Sequence, residues 1–117
     1  MKDIEVGDYV RTKSGEIGIF VEYRDDKFFC KIKIKNTYYT PPISTITKHS
    51  KNIIDLIEVG DFVNGNIVTD KYLFAGEMPV VETSGVETNA KCLCEKDIQL
   101  ILTHEQYSQN CYTVERR

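Results

Sequence analysis

The sequence predicts an all-β fold with minor α content, built as two small units in tandem. Three observations predict it. A seven-residue string occurs twice, as IEVGDYV at 4–10 and IEVGDFV at 57–63, with six of seven positions identical. Aromatic and β-branched residues dominate the chain between short glycine-bearing turns, a strand pattern. Residues 28–35 alternate strictly, with Cys30, Ile32 and Ile34 on one face and Lys31, Lys33 and Lys35 on the other.

The repeat sets the organisation. The motifs stand 53 residues apart. Ile46-Thr47-Lys48-His49 also resembles Ile101-Leu102-Thr103-His104, at an offset of 55, which places two extra residues inside the second unit. The expected division is a first unit over 1–49, an apolar linker over 50–56 and a second unit over 57–117. A unit of about 50 residues is marginal alone, so the two should pack together. Their middles diverge more than their ends, so the ends should hold the fold and the middles the specificity.

In the first unit, Tyr9 to Thr12 reads as a strand and Lys13 to Glu16 as a turn in which Gly15 supplies positive φ. Ile17 to Tyr23 is a second strand, with Gly18 a bend or close-approach point. Arg24 to Lys27 makes a polar hairpin turn. Phe28 to Lys35 is the third strand. Asn36-Thr37 turns the chain into Tyr38 to Thr40. Pro41-Pro42 cannot continue a central strand and starts a tight connection to a closing strand at Ile43 to Thr47.

In the second unit, Phe62-Val63 leads to a turn at Asn64-Gly65-Asn66, and Asn-Gly is a strong hairpin signal. Strands follow at Ile67 to Phe74, Val80 to Thr83, Ala90 to Glu95 and Ile98 to Leu102. The linker carries Ile53, Ile54 and Leu56, which reads as one buried helical turn between the units. Thr103 and Gln106 fit a capping box for a short helix to about Gln109. Cys111 to Val114 alternates into a last edge strand.

Five short strands with a tight connection before the last are the plan of an SH3-like barrel. Gly7, Asp8, Gly15 and Gly18 in GDYVRTKSGEIGIF resemble the entry of KOW- and Tudor-type barrels. That resemblance implies two tandem SH3-like small β-barrels packed together, followed by the short C-terminal helix and edge strand. The string NIIDLIEVGDFVNG, with Thr-His-Glu-Gln-Tyr near the C-terminus, is similar to small phage and prophage proteins of Firmicutes. By analogy it implies an accessory protein that binds and inhibits a host protein, such as a defence or CRISPR effector.

Composition excludes several classes. No apolar run approaches the roughly 18 residues of a membrane span, and acids stand where a signal peptide needs an apolar stretch, so a cytoplasmic protein is expected. Cys30, Cys92, Cys94 and Cys111 are then expected as free thiols. Residues 1–51 carry ten Lys/Arg against seven Asp/Glu, and residues 52–117 carry five against eleven. The first half is basic and the second acidic.

Gly7-Asp8 and Gly60-Asp61 read as structural turns, because a catalytic pair has little reason to occur twice. His49 and His104 accompany no nucleophile in a recognisable order. Cys92, Cys94, Cys111 and His104 offer four zinc donors, but in an unusual spacing, so no metal and no cofactor are expected. No phosphate-loop, dinucleotide or triad motif is present. The leading expectation is a non-catalytic protein-binding module. Its contacts would come from Lys31, Lys33, Lys35, Tyr38 and Tyr39 in the first unit. In the second they would come from Glu77, Glu82, Glu87, Glu95 and Asp97. The alternative is a nucleic-acid or ribonucleoprotein binder using the lysines and aromatics of the first unit. The sequence sets no oligomeric state.

Overall fold

The computed structural model describes residues 3–84 and 91–110. Among these residues, ten strands form two antiparallel sheets, accompanied by one short helix. The first sheet contains β1 (Tyr9–Thr12), β2 (Ile17–Arg24), β3 (Phe29–Ile34), β4 (Thr37–Tyr39) and β5 (Ile46–Ser50). The second contains β6 (Phe62–Val63), β7 (Asn66–Phe74), β8 (Met78–Ser84), β9 (Lys91–Leu93) and β10 (Ile101–Leu102). The spatial orders are β4-β3-β2-β1-β5 and β10-β6-β7-β8-β9. Taken from opposite ends these are one topology: a four-strand meander whose fifth strand returns beside the first. In both sheets a 3-10 turn precedes that fifth strand, at Ile43–Thr45 and Glu95–Asp97.

The repeated motif makes the same turn twice. Gly7 N–H donates to the Phe20 carbonyl and Gly60 N–H to that of Val68, with both glycines at positive φ. The Asp8 carboxylate accepts from Glu5 N–H at 3.0 Å, and Asp61 accepts from Glu58 N–H at 2.7 Å. A side-chain oxygen bound to the amide three residues back locks the chain before the first strand. The Gly-Asp pairs are therefore scaffold, as the sequence suggests.

The expected match of the unit ends at offset 55 is corrected. The 3-10 turns end at Ile46 and Ile98, while Ser50 lies opposite Tyr9 and Leu102 opposite Phe62. Both pairs stand 52 apart. His49 therefore lies within β5, whereas His104 begins the helix α1 (His104–Asn110). Length is redistributed inside the units. The β6–β7 hairpin is shortened to a two-residue turn at Asn64-Gly65, both at positive φ, and the β7–β8 hairpin is lengthened. A local similarity of four residues cannot detect such compensating changes.

Each sheet has its own core. Ile4, Val10, Phe20, Cys30, Ile32 and Ile46 form one; Ile54, Ile57, Val63, Val68 and Val81 form the other. The Cα radius of gyration is 15.8 Å. A compact single-core chain of this length is expected near 13 Å, so the cores lie side by side. Between the sheets Ile53–Leu56 forms a 3-10 turn, and Ile54 and Leu56 are buried, while Ser50 belongs to β5 rather than to the linker. Gly18 is a true close approach, since an added Cβ would stand 2.9 Å from the Lys33 carbonyl oxygen.

Strand ends differ from expectation at several places. The β3–β4 turn is Lys35-Asn36, not Asn36-Thr37, with Lys35 at φ 56°. Lys35 thus leaves the strand face shared by Lys31 and Lys33. β8 is longer than expected because Met78 pairs with Phe74. Thr103 caps α1, its hydroxyl accepting from Gln106 N–H at 3.4 Å, but Gln106 faces that hydroxyl rather than the Thr103 amide. The expected edge strand at Cys111 to Val114 lies outside the described residues. Among those described, no helix is long and apolar enough to cross a membrane.

Candidate functional site

The densest polar cluster lies where the two sheets meet, and it is built on Arg11 of β1. Arg11 is fully buried. Its guanidinium holds Asp61 through two bonds of 2.5 and 2.9 Å, Glu105 of α1 at 2.5 Å and the Leu56 carbonyl at 2.8 Å. Asp61 also accepts from His104 N–H at 2.9 Å. A bidentate guanidinium–carboxylate pair is the geometry in which a buried ion pair recovers its desolvation cost. Thr103 adds a bond from its hydroxyl to the Gly15 carbonyl at 2.7 Å, joining the first unit's turn to the helix start. These contacts make Arg11 the pin between the units.

The same cluster brings Glu58, His104 and Glu105 together, with one donor atom from each within 4.8 Å of the others. His104 Nε2 stands 3.0 Å from Glu58 and 3.4 Å from Glu105. The carboxylates already have cations, since Arg11 serves Glu105 and Lys48 lies 3.2 Å from Glu58.

Acid should loosen this junction. Burial works to raise the pKa of Asp61. The Arg11 guanidinium and the N–H groups of Glu58 and His104 outweigh it and hold the carboxyl below its ordinary value. Asp8 is also held low: burial raises it, and Lys51, Glu5 N–H and His49 more than compensate. A carboxylate lowered on folding contributes stability that is complete above its unfolded pKa and is lost as pH falls through the folded one. With unfolded values near 4, the urea midpoint should hold from neutral pH to about pH 5 and decline below it. Asp61→Asn should flatten that decline. A midpoint unchanged down to about pH 3 would contradict the assignment.

The sequence-selected surface residues are only partly gathered. Lys31 and Lys33 both lean over the exposed ring of Tyr38, their Nζ atoms 4.7 and 5.9 Å from its centroid. Tyr39 is exposed on the same short strand. Lys35 instead lines a cleft of about 580 Å³ with Tyr9, Ile17 and Ile101. The expected acidic residues differ in their settings. The Glu95 carboxylate accepts the N–H groups of Ile53 and Ile54, and Asp97 accepts from Cys94 N–H and its thiol. Both acids serve the scaffold. Glu82 is half-buried on β8 opposite Cys92, and Glu77 is exposed beside the β7–β8 turn. Glu87 lies outside the described residues.

The thiols are also separated. Cys94 follows β9 and begins a 3-10 turn, where its thiol donates to the Asp97 carboxylate at 3.2 Å. The Cys92 thiol lies 3.0 Å from the Tyr72 hydroxyl, whose pKa is pushed up to about 12, first by that contact. Cys30, Cys92 and Cys94 are free. Cys111, like the expected edge strand, is outside the described residues.

A feature the acid-centred reading missed is the tip of the β7–β8 hairpin. Leu73 is 57% exposed, Phe74 56% and Met78 45%, with Tyr72 beside them. The corresponding hairpin of the first unit turns through Asp25, Asp26, Lys27 and Phe28, so Phe28 is exposed there beside three charged residues. A groove of about 460 Å³, lined by Ile54, Met78, Pro79 and Cys94, continues from the apolar tip. Three consecutive large apolar residues before Ala75-Gly76 were the available signal. A two-stranded ribbon tip has no core on either side, so such residues must face solvent or a partner. Comparison with protein-family models, curated proteins and solved structures gives no match.

Proposed function

We propose that this chain is a non-catalytic protein-binding module of two SH3-like barrels, which takes its partner on the β7–β8 hairpin of the second unit. The fold assignment is supported by the shared strand order, with the fifth strand beside the first and a 3-10 turn before it. The observation that carries the function is the exposed cluster of Leu73, Phe74 and Met78. The first unit, on the same topology, places Asp25, Asp26 and Lys27 at that turn beside a single exposed Phe28, where the second unit has three consecutive apolar residues. Burying a Leu or Phe side chain is worth about 1.5–3 kcal/mol, so this tip is a costly thing to leave wet. By analogy alone, we propose a protein of an infected host cell as the partner class, defence effectors included.

The test begins with capture from the native host. The Leu73→Ser/Phe74→Ser variant should keep the wild-type urea midpoint, since neither side chain is in a core. It should bind the captured partner about thirtyfold more weakly or worse. Equal capture by both proteins would remove the hairpin from the interface.

A further inference from the structure

The first sheet ends in a strand with every side chain exposed. β4 is the last strand of the order β4-β3-β2-β1-β5, and Thr37, Tyr38 and Tyr39 are all exposed. A two-residue hairpin turn closes on a hydrogen-bonded pair, here Ile34 with Thr37. Lys33 and Tyr38 are then the non-hydrogen-bonded pair, so the N–H and C=O of Tyr38 point outward, away from β3. Such an edge is a template for another strand.

The charge beside the edge selects what can be added. Lys31 and Lys33 stem from β3, but their ammonium groups have been carried outward over the Tyr38 ring. They therefore stand one strand spacing from the open edge, on the face that Tyr38 occupies. Tyr39 pairs with Ile32, a core residue, and so marks the opposite face. A strand laid beside β4 alternates between these faces. Its residues on the Tyr38 face meet ammonium groups, and those on the Tyr39 face meet an aromatic ring.

We propose that the outer edge of β4 takes an acidic, extended peptide segment as an added strand, with acidic and apolar residues in alternation. The segment's backbone pairs with Tyr38, its carboxylates meet Lys31 and Lys33, and its apolar side chains cover Tyr39. A second copy of this chain does not fit, because edge-to-edge pairing sets lysines against lysines. Nucleic acid is disfavoured as well: two ammonium groups neutralise few phosphates, and Glu22 lies directly opposite Lys31. This surface is separate from the β7–β8 hairpin and does not depend on the function proposed for it.

The experiment titrates nitrogen-15-labelled protein with a short synthetic peptide of alternating glutamate and valine. Parallel titrations use the lysine–valine peptide and oligothymidine, and the protein alone is diluted. The glutamate peptide should shift the amides of 37–39 and slow exchange of the Tyr38 amide. The Lys31→Ala/Lys33→Ala variant, altered only on the solvent side, should bind it roughly tenfold more weakly. The Leu73→Ser/Phe74→Ser variant should bind it as the wild type does, which separates this surface from the hairpin tip. The proposal is overturned by no shift at millimolar peptide, by equal binding of the lysine peptide, or by indifference to the lysine variant. It is equally overturned if oligothymidine binds there instead, or if the shifts follow dilution of the protein alone.

Discussion

Arg11→Ala is expected to cost about 3–5 kcal/mol of folding stability, the range for removing one partner of a buried ion pair. The alanine leaves the fully buried Asp61 without its cation and the Leu56 carbonyl without its donor. Domains of this size are stable by about 5–15 kcal/mol, so the loss takes a large share. Its form should be informative too. Arg11 joins β1 to Leu56, Asp61 and Glu105, which lie 45, 50 and 94 residues away. Without it the units lose their strongest polar tie, and each has only a small core. Urea unfolding followed by circular dichroism should change from one cooperative transition to a broad or two-step one. A cycle with Asp61→Asn should show strong coupling, the double variant being far less destabilised than the separate losses imply. A loss below about 1 kcal/mol would show that the pair contributes no more than a surface ion pair.

Gly15→Ala should be the second most damaging small change, at about 2–4 kcal/mol. Two causes add. Gly15 sits at φ +86°, where a Cβ costs about 1 kcal/mol. That Cβ would also stand 2.3 Å from Thr103 Oγ1 and 2.8 Å from Glu105 Cβ. The turn must move off the helix start, which breaks the buried bond from Thr103 to the Gly15 carbonyl and leaves groups unpaired at about 1–3 kcal/mol. Gly65→Ala is the control, since Gly65 has φ +85° but open space around it. It should cost only the backbone part. Equal costs at Gly15 and Gly65 in the same urea titration would exclude crowding at the junction.

Much of the fold could be read from local pattern. The Asn64-Gly65 hairpin, the Gly18 close approach, the buried linker turn and the Thr103 cap all follow from chemistry within a few residues. Errors arose where distant pairing decides. Lys35 continues an alternation on paper, but the Ile34–Thr37 pair makes it a turn residue. Glu95 looks like a free surface acid, yet its carboxylate accepts from the N–H groups of Ile53 and Ile54, more than 40 positions earlier. The candidate site was legible in part. Lys31, Lys33 and Tyr38 come together because antiparallel pairing places them there. The apolar tip is written in Tyr72, Leu73 and Phe74, but an apolar run inside a strand reads as core until the structure shows that the hairpin end projects beyond it.

The repeated Ile-x-Val-Gly-Asp determined by itself that the chain has two like units, and their residue patterns determined that both are sheets. Those properties rest on steric and hydrogen-bond preferences of neighbouring residues, which travel with the string. How the units join was decided only in three dimensions. Asp8 and Asp61 are both buried and close the same turn, yet Asp8 pairs with Lys51 and His49 within reach of its own unit, while Asp61 pairs with Arg11 of the other unit. Arg11 is the first residue after the repeated string, and Asn64 holds that place in the second unit, its side chain bonded to the Asp97 carbonyl and to Gln99 N–H. Identical turns acquire different partners because a buried ion pair needs charges from distant segments to meet away from water. Local sequence carries no record of that meeting.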